Sequence, residues 1–580
     1  MRRPGTARRS RSAGLCGWIL LGVVLILPAC GDRGHEQVGQ GRDGTVQGDS
    51  HQDGHEQAVA GIQELVDAGE LSLGAEQTFA VPPEILDLYR ARGHRPLWVN
   101  DAGLTSSGGE LLEVLRRSLE EGLPAHRYHI EVLDGVVQGD QEGTDAGMRQ
   151  LRIAELEVAL TSMYVRYATD LARGHLDSTD DEVIWLIPRP DPPGGELLER
   201  LERGESPAGL LDDLRPTTPQ YGRLMASLQH YRQVQEAGGW PRLPDDVNLR
   251  EGDEGEDVML LRRRLLAEGD PVERDLARAE SSVARERFDG RLREAVEHVQ
   301  ARFALQVDGV VGGRTLHELN TPVSQRLFEL EMNLERWRWL PHDLGARHIL
   351  VNVAGYEMEV VNEGRRVLFM DVVVGEEGWE TPVFRDTLDH IVFNPYWNVP
   401  ASIAESSLLP EARNDPSYLE RNNFEIVDRS GSSPRVVGID SIDWSEVDAA
   451  DFPYWLRQRP GPDNALGLVK FMFPNEHSIY LHDAPSQHLF LEARRAYSHG
   501  CVRVGKPFEL ARLLLEIDSD ASDRQIGDFL DEDGERRVDL NGTVPIYIVY
   551  LTAWIEDDGR TRFHHDPYHR DRRMGATVPQ

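Results

Sequence analysis

Apolar residues in the first half of the chain recur at the spacing of amphipathic helices. Strong stretches run through Leu111, Leu112, Leu115 and Leu119, and again from Leu151 to Leu171. Positions three and four apart share one face of a helix, so each stretch can bury a single stripe. Prolines at 188–193 and near 216–219 interrupt the pattern. We therefore predict a helical scaffold domain over residues 59–246.

Residues 247–320 form a compact unit of short helices. Apolar runs at 260–266, 295–303 and 315–319 each follow a glycine-containing turn, which is typical of a loop that leads into a helix. Residues 321–345 then predict a linker helix. The spacing of Leu334, Trp337 and Leu340 suits a packed helix, so we expect Trp337 and Trp339 in a core rather than on a sugar-binding surface.

After Pro341 the pattern changes from helical to β. Runs rich in β-branched residues, bounded by glycines, predict strands at 348–353, 357–361, 367–374, 391–393, 469–473, 479–481 and 544–551. The polar, acidic stretch 402–462 reads as an insertion between strands. The fold class is therefore multidomain α+β, with a mainly β domain over residues 346–572 and a short tail at 573–580.

The amino terminus has the charge order of a secretory signal. Five arginines precede an apolar stretch from Leu15 to Leu27, which is shorter than the roughly 20 residues of a membrane span. It ends at Pro28-Ala29-Cys30-Gly31, which resembles a lipobox. We predict a signal peptide at 1–29, lipidation of Cys30 and a periplasmic protein anchored to the outer membrane. Cleavage near Ala29, without lipidation, is the alternative.

Composition restricts the partners. Residues 30–58 carry almost no large apolar side chain and predict a disordered linker. The formal net charge of −36 argues against nucleic acid and against electrostatic docking on anionic lipid. Membrane contact is therefore expected only through the lipid anchor, and composition gives no oligomeric state.

The chemistry concentrates on one thiol. The chain has three cysteines, and Cys16 and Cys30 belong to the leader and its end, which leaves Cys501 alone in the exported body. A nearby imidazole can take the thiol proton and create a nucleophile. His499 is one candidate base, because positions i and i+2 share a face in an extended segment. His482, at the end of a predicted strand, is the other.

The residues around Cys501 favour the same interpretation. Gly500 leaves backbone room beside the thiol, and the amides from Gly500 to Val502 are candidate donors to a developing oxyanion. The run after Cys501, from Pro507 to Leu514, predicts a helix, and its N-terminus near Cys501 would also favour the thiolate. A zinc site of one cysteine and two histidines is the rival hypothesis. No Cys-x-x-Cys or His-Glu-x-x-His pattern supports it, so we expect neither metal nor cofactor.

His482, fifteen intervening residues, and then Ser498-His499-Gly500-Cys501-Val502-Arg503 resemble the signature of L,D-transpeptidases with a YkuD-type catalytic domain. Three further segments resemble the large, YcbB-like branch of that family: 381–386, 393–400 and 464–471. So do residues 333–341 and the close at 552–554. The unit at 247–320 resembles a three-helix peptidoglycan-binding module. The insertion 402–462 would then cap the substrate.

The resemblance implies a role for each residue. Cys501 would be the acyl-accepting nucleophile, and His482 its base, oriented by the backbone carbonyl of Asp483, with His499 auxiliary. Arg503 would either fix the loop or meet a substrate carboxylate. Tyr480, Asn398, Trp397 and Ser498 are expected at the substrate cleft, with a plain core position as the alternative for Trp397.

The implied reaction is acyl transfer on peptidoglycan stem peptides, which gives 3→3 crosslinks between tetrapeptide stems; the glycan is an expected second contact. With water as the acceptor, the same chemistry gives an L,D-carboxypeptidase. A non-catalytic lipoprotein that anchors the membrane to the wall is the alternative from a different class. The acceptor and the movement of the insertion stay open.

Overall fold

The structure is a computed structural model that describes residues 49–73, 77–100, 103–139, 146–176, 185–268, 286–518 and 523–577. The described residues from Asp53 onward belong to one compact unit. The predicted signal peptide, Cys16, Cys30 and most of the predicted linker lie outside the described residues. In the part of the chain that is described, no helix has both the length and the apolar character needed to cross a bilayer.

The amino-terminal half is helical, as predicted. Its helices are Asp49–Ala68, Pro83–Ala91, Ser106–Arg116, Ile130–Gly139, Ala146–Arg173, Gly194–Glu202, Pro207–Asp212 and Pro219–Glu236. The first seven surround their own apolar core, at whose centre Leu160, Met163 and Tyr164 are fully buried. Two small hairpins were not predicted: β1 (Glu70–Leu73) with β2 (Gln77–Ala80), and β3 (Val99–Asn100) with β4 (Gly103–Leu104).

The prediction of a disordered linker up to residue 58 is wrong for its last ten residues, because the first helix begins at Asp49. Ala58, Ile62 and Val66, spaced four apart, are buried and form the contact face of this helix. Once that face is packed, extending the helix toward the amino terminus adds one backbone hydrogen bond per residue at little further cost.

The compact unit at 247–320 contains the helices Glu256–Glu268, Gly290–Arg302 and Gly313–Asn320 among its described residues. Asp289 caps the second helix by accepting a hydrogen bond from the Leu292 amide at 3.0 Å. Its two ends meet through a β-bridge between Leu249 and Val311. The linker helix spans Val323–Trp339, and Trp337 and Trp339 are buried, which confirms their predicted core position.

The carboxy-terminal half is built on a nine-stranded mixed sheet. In chain order the strands are β5 (His348–Asn352), β6 (Glu357–Asn362), β7 (Arg365–Gly375), β8 (Phe384–Phe393), β13 (Val469–Met472), β14 (Leu481–His482), β15 (Ala496–Ser498), β16 (Val502–Val504) and β17 (Arg536–Val549). Across the sheet they lie in the order β15-β7-β16-β14-β13-β8-β17-β5-β6. The helices Pro507–Asp518 and Asp523–Asp531 lie between β16 and β17.

The insertion is a small domain with its own sheet, in the order β11-β10-β12-β9. These strands are β9 (Trp397–Asn398), β10 (Phe424–Asp428), β11 (Arg435–Val437) and β12 (Trp455–Gln458). Helical turns at Ala401–Ile403, Ala404–Leu408, Leu409–Asn414 and Ser417–Arg421 cover a core that includes Leu409, Leu419 and Ile426. The unit therefore starts at Trp397, five residues before the predicted insertion.

The residues after β17 form the C-terminal segment, residues 550–577. It contains β18 (Ala553–Ile555), which pairs with β19 (Thr561–Phe563), and the helix Arg570–Thr577. Thr552 in this segment accepts a hydrogen bond from Asn333 of the linker helix at 2.8 Å. Arg336 of the same helix forms a buried ion pair with Asp571 at 2.5 Å. The segment is thus fastened to the linker helix.

Candidate active site

Two adjacent parallel strands bring the predicted site residues together. In β14 and β16, Leu481 lies beside Val502 and His482 beside Arg503. Leu481 and Val502 are fully buried on the core side. Because side chains alternate along a strand, Tyr480, His482 and Arg503 project from the opposite face, and Cys501 lies at the edge of that face, where β16 begins. Residues that are about twenty apart in sequence thus become neighbours.

The Cys501 thiol contacts the segment that leads into β14. It is a free thiol and donates to the Ser478 carbonyl, with 3.7 Å between sulfur and oxygen. Burial raises the pKa of Cys501 above its usual value, whereas the Tyr480 amide and hydroxyl, which hydrogen-bond to the sulfur, and the Arg503 charge act in the opposite direction. The resting group is therefore a neutral thiol with donors already in place for a thiolate.

The His482 imidazole is buried and neutral. Burial, followed by the nearby charge of Arg503, lowers the pKa of His482 to about 3. Its Nδ1 lies 2.5 Å from the Asp483 carbonyl oxygen. Since a carbonyl only accepts, Nδ1 carries the proton and Nε2 keeps the lone pair that a base needs.

Two cations flank this imidazole. The strand β13 places Lys470 beside His482, on the side away from Arg503. Burial lowers the pKa of Lys470, and its charge contributes to the low pKa of His482. Among the described residues the Arg503 Nε has no hydrogen-bond partner. Through this buried atom, Arg503 therefore makes no hydrogen bond to the loop.

The loop around Cys501 differs from the prediction in two respects. Gly500 has φ +106°, and β15 ends at Ser498, so residues 499–501 are not extended and the argument that His499 and Cys501 share a strand face fails. The helix that was expected to favour the thiolate begins only at Pro507, after the intervening strand β16. A helix dipole acts within its first turn, so it is not the source of thiolate stabilisation.

The amides of the loop have separate uses. Gly500 N–H donates to the Ser498 hydroxyl at 3.1 Å, and Val502 N–H donates to the Tyr480 carbonyl at 3.2 Å. Within the described part of the chain, no hydrogen bond involves the Cys501 N–H. Of the three amides suggested by the sequence, only that of Cys501 is therefore available to an oxyanion.

Ser498 and His499 differ in their exposure to solvent. Ser498 is buried, and its hydroxyl donates to the Cys501 carbonyl at 2.5 Å while it accepts from Gly500, so both capacities are used inside the loop rather than toward substrate. His499 is exposed and packs on Trp379, with ring centroids 4.9 Å apart.

Trp397 connects the insertion to the thiol. Its ring packs on Phe424, 6.0 Å between centroids, within the small core of the insertion. Its side chain also hydrogen-bonds to the Tyr480 hydroxyl, which contacts Cys501. Trp397 therefore belongs to the core of the insertion and also contacts the side chain of Tyr480. The neighbouring Asn398 is exposed and accepts a hydrogen bond from Arg429 at 3.0 Å.

Sequence reasoning gave no role to three residues of the site, although they lie in the segments 381–386 and 464–471 that it had singled out. The position of Lys470 beside His482 depends on strand register, which the sequence alone does not provide. Gly467, at φ +62°, adjoins Asp483: a Cβ there would lie 2.3 Å from a carboxylate oxygen. Thr381 reaches the Gly500 carbonyl from a distant turn. Among the described residues, no group of three or more His, Cys, Asp or Glu side chains is placed to hold a metal ion.

Comparisons with known proteins match three parts of the chain to known domains. Residues 346–548 match the YkuD family, described as "L,D-transpeptidase catalytic domain". Residues 83–228 match a "Scaffold domain", and residues 254–319 match a "Putative peptidoglycan binding domain". A curated protein of Haemophilus influenzae, named "Putative L,D-transpeptidase", is 37% identical over 229 residues, which are 40% of this chain and 45% of that protein.

A solved structure, the L,D-transpeptidase (residues 123–326) from Xylanimonas cellulosilytica, is 16% identical to this chain. The match covers 53% of this chain and 98% of the solved chain, with a TM-score of 0.15, which is too low to indicate a shared fold. The chain matches less than half the length of its curated relative. The domain matches nevertheless identify its class: the chain contains a YkuD L,D-transpeptidase catalytic domain, preceded by a scaffold domain and a peptidoglycan-binding domain.

Proposed function

We propose that this protein is an L,D-transpeptidase that acylates Cys501 with peptidoglycan stem peptides and passes the acyl group to a second stem as a 3→3 crosslink. The observation that carries the proposal is the pairing of β14 with β16, which puts a neutral imidazole, a cation and a free thiol on one face. Peptidoglycan is the substrate favoured by the matched domains.

In the first half-reaction, His482 Nε2 takes the Cys501 proton as the sulfur attacks the carbonyl carbon of the third stem residue. The Asp483 carbonyl fixes the tautomer that this step needs. The developing thiolate is met by the Tyr480 hydroxyl and by the Arg503 charge. The carbonyl oxygen becomes an oxyanion, for which the Cys501 N–H is the available loop amide.

Collapse of that intermediate breaks the peptide bond to the terminal D-alanine. The imidazolium returns its proton to the departing amine, and the stem remains bound to Cys501 as a thioester. A side-chain amine of a neighbouring stem then attacks the thioester carbonyl, with His482 again taking the proton. The products are a crosslinked dimer and the free thiol. When water replaces the amine, the product is a shortened monomer.

The remaining domains support a role at the cell wall. We propose that residues 247–320 hold the enzyme on peptidoglycan and that catalysis takes place outside the cytoplasm, where peptidoglycan lies. The scaffold (59–246), the linker helix (321–345) and the capping insertion (402–462, extended to include Trp397) complete the proposed organisation. Lipidation of Cys30 stays part of the proposal, and radiolabelled palmitate incorporation with a Cys30→Ala control tests it.

The reaction is tested by incubating purified protein with disaccharide tetrapeptide and separating the products by mass. We expect dimers that have lost one D-alanine, and no product with Cys501→Ala. If shortened monomers are the only product, the protein is an L,D-carboxypeptidase rather than a transpeptidase. Binding to purified sacculi without turnover by the wild-type enzyme would favour the wall-anchoring protein instead.

A further inference from the structure

The turn between β7 and β8 is hydrogen-bonded to the loop that carries the nucleophile. We call residues 375–381 the strap. Thr381 in the strap is fully buried, and its hydroxyl donates to the Gly500 carbonyl at 2.8 Å while it accepts from the Gly375 N–H at 2.9 Å. The Glu376 N–H also donates to the Ser498 carbonyl at 2.9 Å. The strap is thus hydrogen-bonded to the residues on both sides of His499.

The bond to Gly500 sets the direction of an amide that the reaction needs. The Gly500 carbonyl and the Cys501 N–H belong to one planar trans peptide unit and point in opposite directions. Fixing the carbonyl oxygen therefore also fixes the N–H. Gly500 lies at φ +106°, where glycine moves freely, so its own backbone preference restrains this peptide little. The restraint has to come from a neighbour, and Thr381 provides it.

The strap is in turn held by the C-terminal segment. Tyr568 is buried, and its hydroxyl donates to the Gly375 carbonyl at 2.5 Å and accepts from the Thr381 N–H at 3.3 Å. Arg570 forms an ion pair with Glu380 of the strap at 3.2 Å. These two residues lie beyond the matched catalytic domain, which ends at residue 548.

Tyr568 is itself fixed in place. Its ring stacks on Tyr550, 5.6 Å between centroids, and its N–H donates to the Tyr550 hydroxyl at 3.0 Å. Tyr550 donates in turn to Asp566. A tyrosine so constrained can transmit a defined position to the strap, whereas a freely rotating side chain could not.

We infer that the C-terminal segment is part of the catalytic apparatus: Tyr568 and Thr381 are positioning residues that aim the Cys501 N–H at the oxyanion of the acyl-transfer intermediate. The inference rests on the proposed function and adds to it a contribution from residues outside the matched catalytic domain. Neither residue contacts the thiol, so both act through the Gly500–Cys501 peptide.

The test compares Thr381→Val, which keeps the shape but loses the hydroxyl, with Thr381→Ser, which keeps the hydroxyl. Loss of a whole oxyanion donor costs about 10²–10³ in kcat, so a misaimed donor should cost about 10- to 100-fold. We expect Thr381→Val and Tyr568→Phe to lower kcat for stem acylation by that factor with KM little changed, and Thr381→Ser to restore most of it. Tyr547→Phe, whose hydroxyl contacts the distant Leu344 carbonyl, is the matched control.

Alkylation of Cys501 by iodoacetamide separates positioning from general damage, because that reaction forms no oxyanion. We expect its rate to be unchanged in Thr381→Val and Tyr568→Phe. Unchanged kcat in both variants, or an equal loss of alkylation and acylation, overturns the inference. If Thr381→Val fails to fold, the inference is decided by the kcat of Tyr568→Phe, which should fall, and of Thr381→Ser, which should stay near that of the wild-type enzyme.

Acylation by a carbapenem separates two outcomes: the proposed stem reaction is wrong, or the positioning role of Thr381 and Tyr568 is wrong. Its lactam carbonyl also becomes an oxyanion when a thiolate attacks it. If the wild-type enzyme acylates with the carbapenem but not with the stem, the stem reaction is refuted, and the variants are then compared on the carbapenem. If it reacts with neither, both proposals fall.

Discussion

The pH dependence of Cys501 alkylation distinguishes two resting states of the site. A thiolate–imidazolium pair would react at a nearly constant rate between the two pKa values, because the thiolate is present throughout. The structure supports the other state, since burial raises the pKa of Cys501 and, together with Arg503 and Lys470, lowers that of His482 to about 3. Both groups are then neutral at pH 7.

The magnitude follows from the thiolate fraction. Below the thiol pKa this fraction rises about tenfold for each pH unit. Since the pKa of Cys501 lies above its usual value, the alkylation rate should rise about 100-fold from pH 6 to pH 8. His482 carries no charge in that range, so no inflection is expected near pH 6.5, and His482→Gln should give the same slope.

The assay follows iodoacetamide modification of the tryptic peptide 496–503, which contains Cys501 and excludes Cys16 and Cys30. Rates are taken under pseudo-first-order conditions at half-unit intervals of pH. A plateau between pH 6 and pH 8, with less than about a twofold change in rate, would identify an ion pair and refute the reasoning about burial.

Three further predictions concern single residues. His482→Gln should slow acylation by about 10²–10⁴, the usual contribution of a general base, whereas the exposed His499→Ala should change it by less than about tenfold; equal losses would contradict the assignment of the base. Tyr480→Phe should slow acylation by about 10- to 100-fold, because it removes the hydrogen bond to the Cys501 thiolate and a hydrogen bond to a charged group is worth about 1.5–3 kcal/mol. Tyr497→Phe, at an exposed tyrosine, is the control in the same rate assay. Gly467→Ala should displace Asp483 and slow acylation, since the new Cβ would lie 2.3 Å from the Asp483 carboxylate. Gly438→Ala, at a position with open space around it, should leave the rate unchanged. Similar acylation rates in the two variants would refute this packing argument.

The larger elements could be predicted from the sequence because their signals are local. The burial of Trp337 and Trp339 follows from helical spacing, and β5, β6 and β7 follow from runs of β-branched residues. The position of His482 also had a basis in sequence, since it was expected at the end of a strand and it ends β14.

The fine geometry of the site had no local signal. The turn at Gly500 depends on a positive φ that glycine adopts in some contexts and not in others, so the sequence alone did not distinguish a turn from an extended segment at 499–501. Thr381 and Tyr568 are 187 residues apart, and the bond between them results from the packing of the whole domain. The helix at Pro507 was predicted correctly, but the short strand β16 before it, only three residues long, gave too brief a pattern to recognise.

The most direct test of the central claim is the intact mass of the protein after brief incubation with disaccharide tetrapeptide and an acid quench. The account predicts a single adduct with the mass of the stem less D-alanine, located on the peptide 496–503 and missing in Cys501→Ala. An adduct on another residue, or continued turnover by Cys501→Ala, would contradict it.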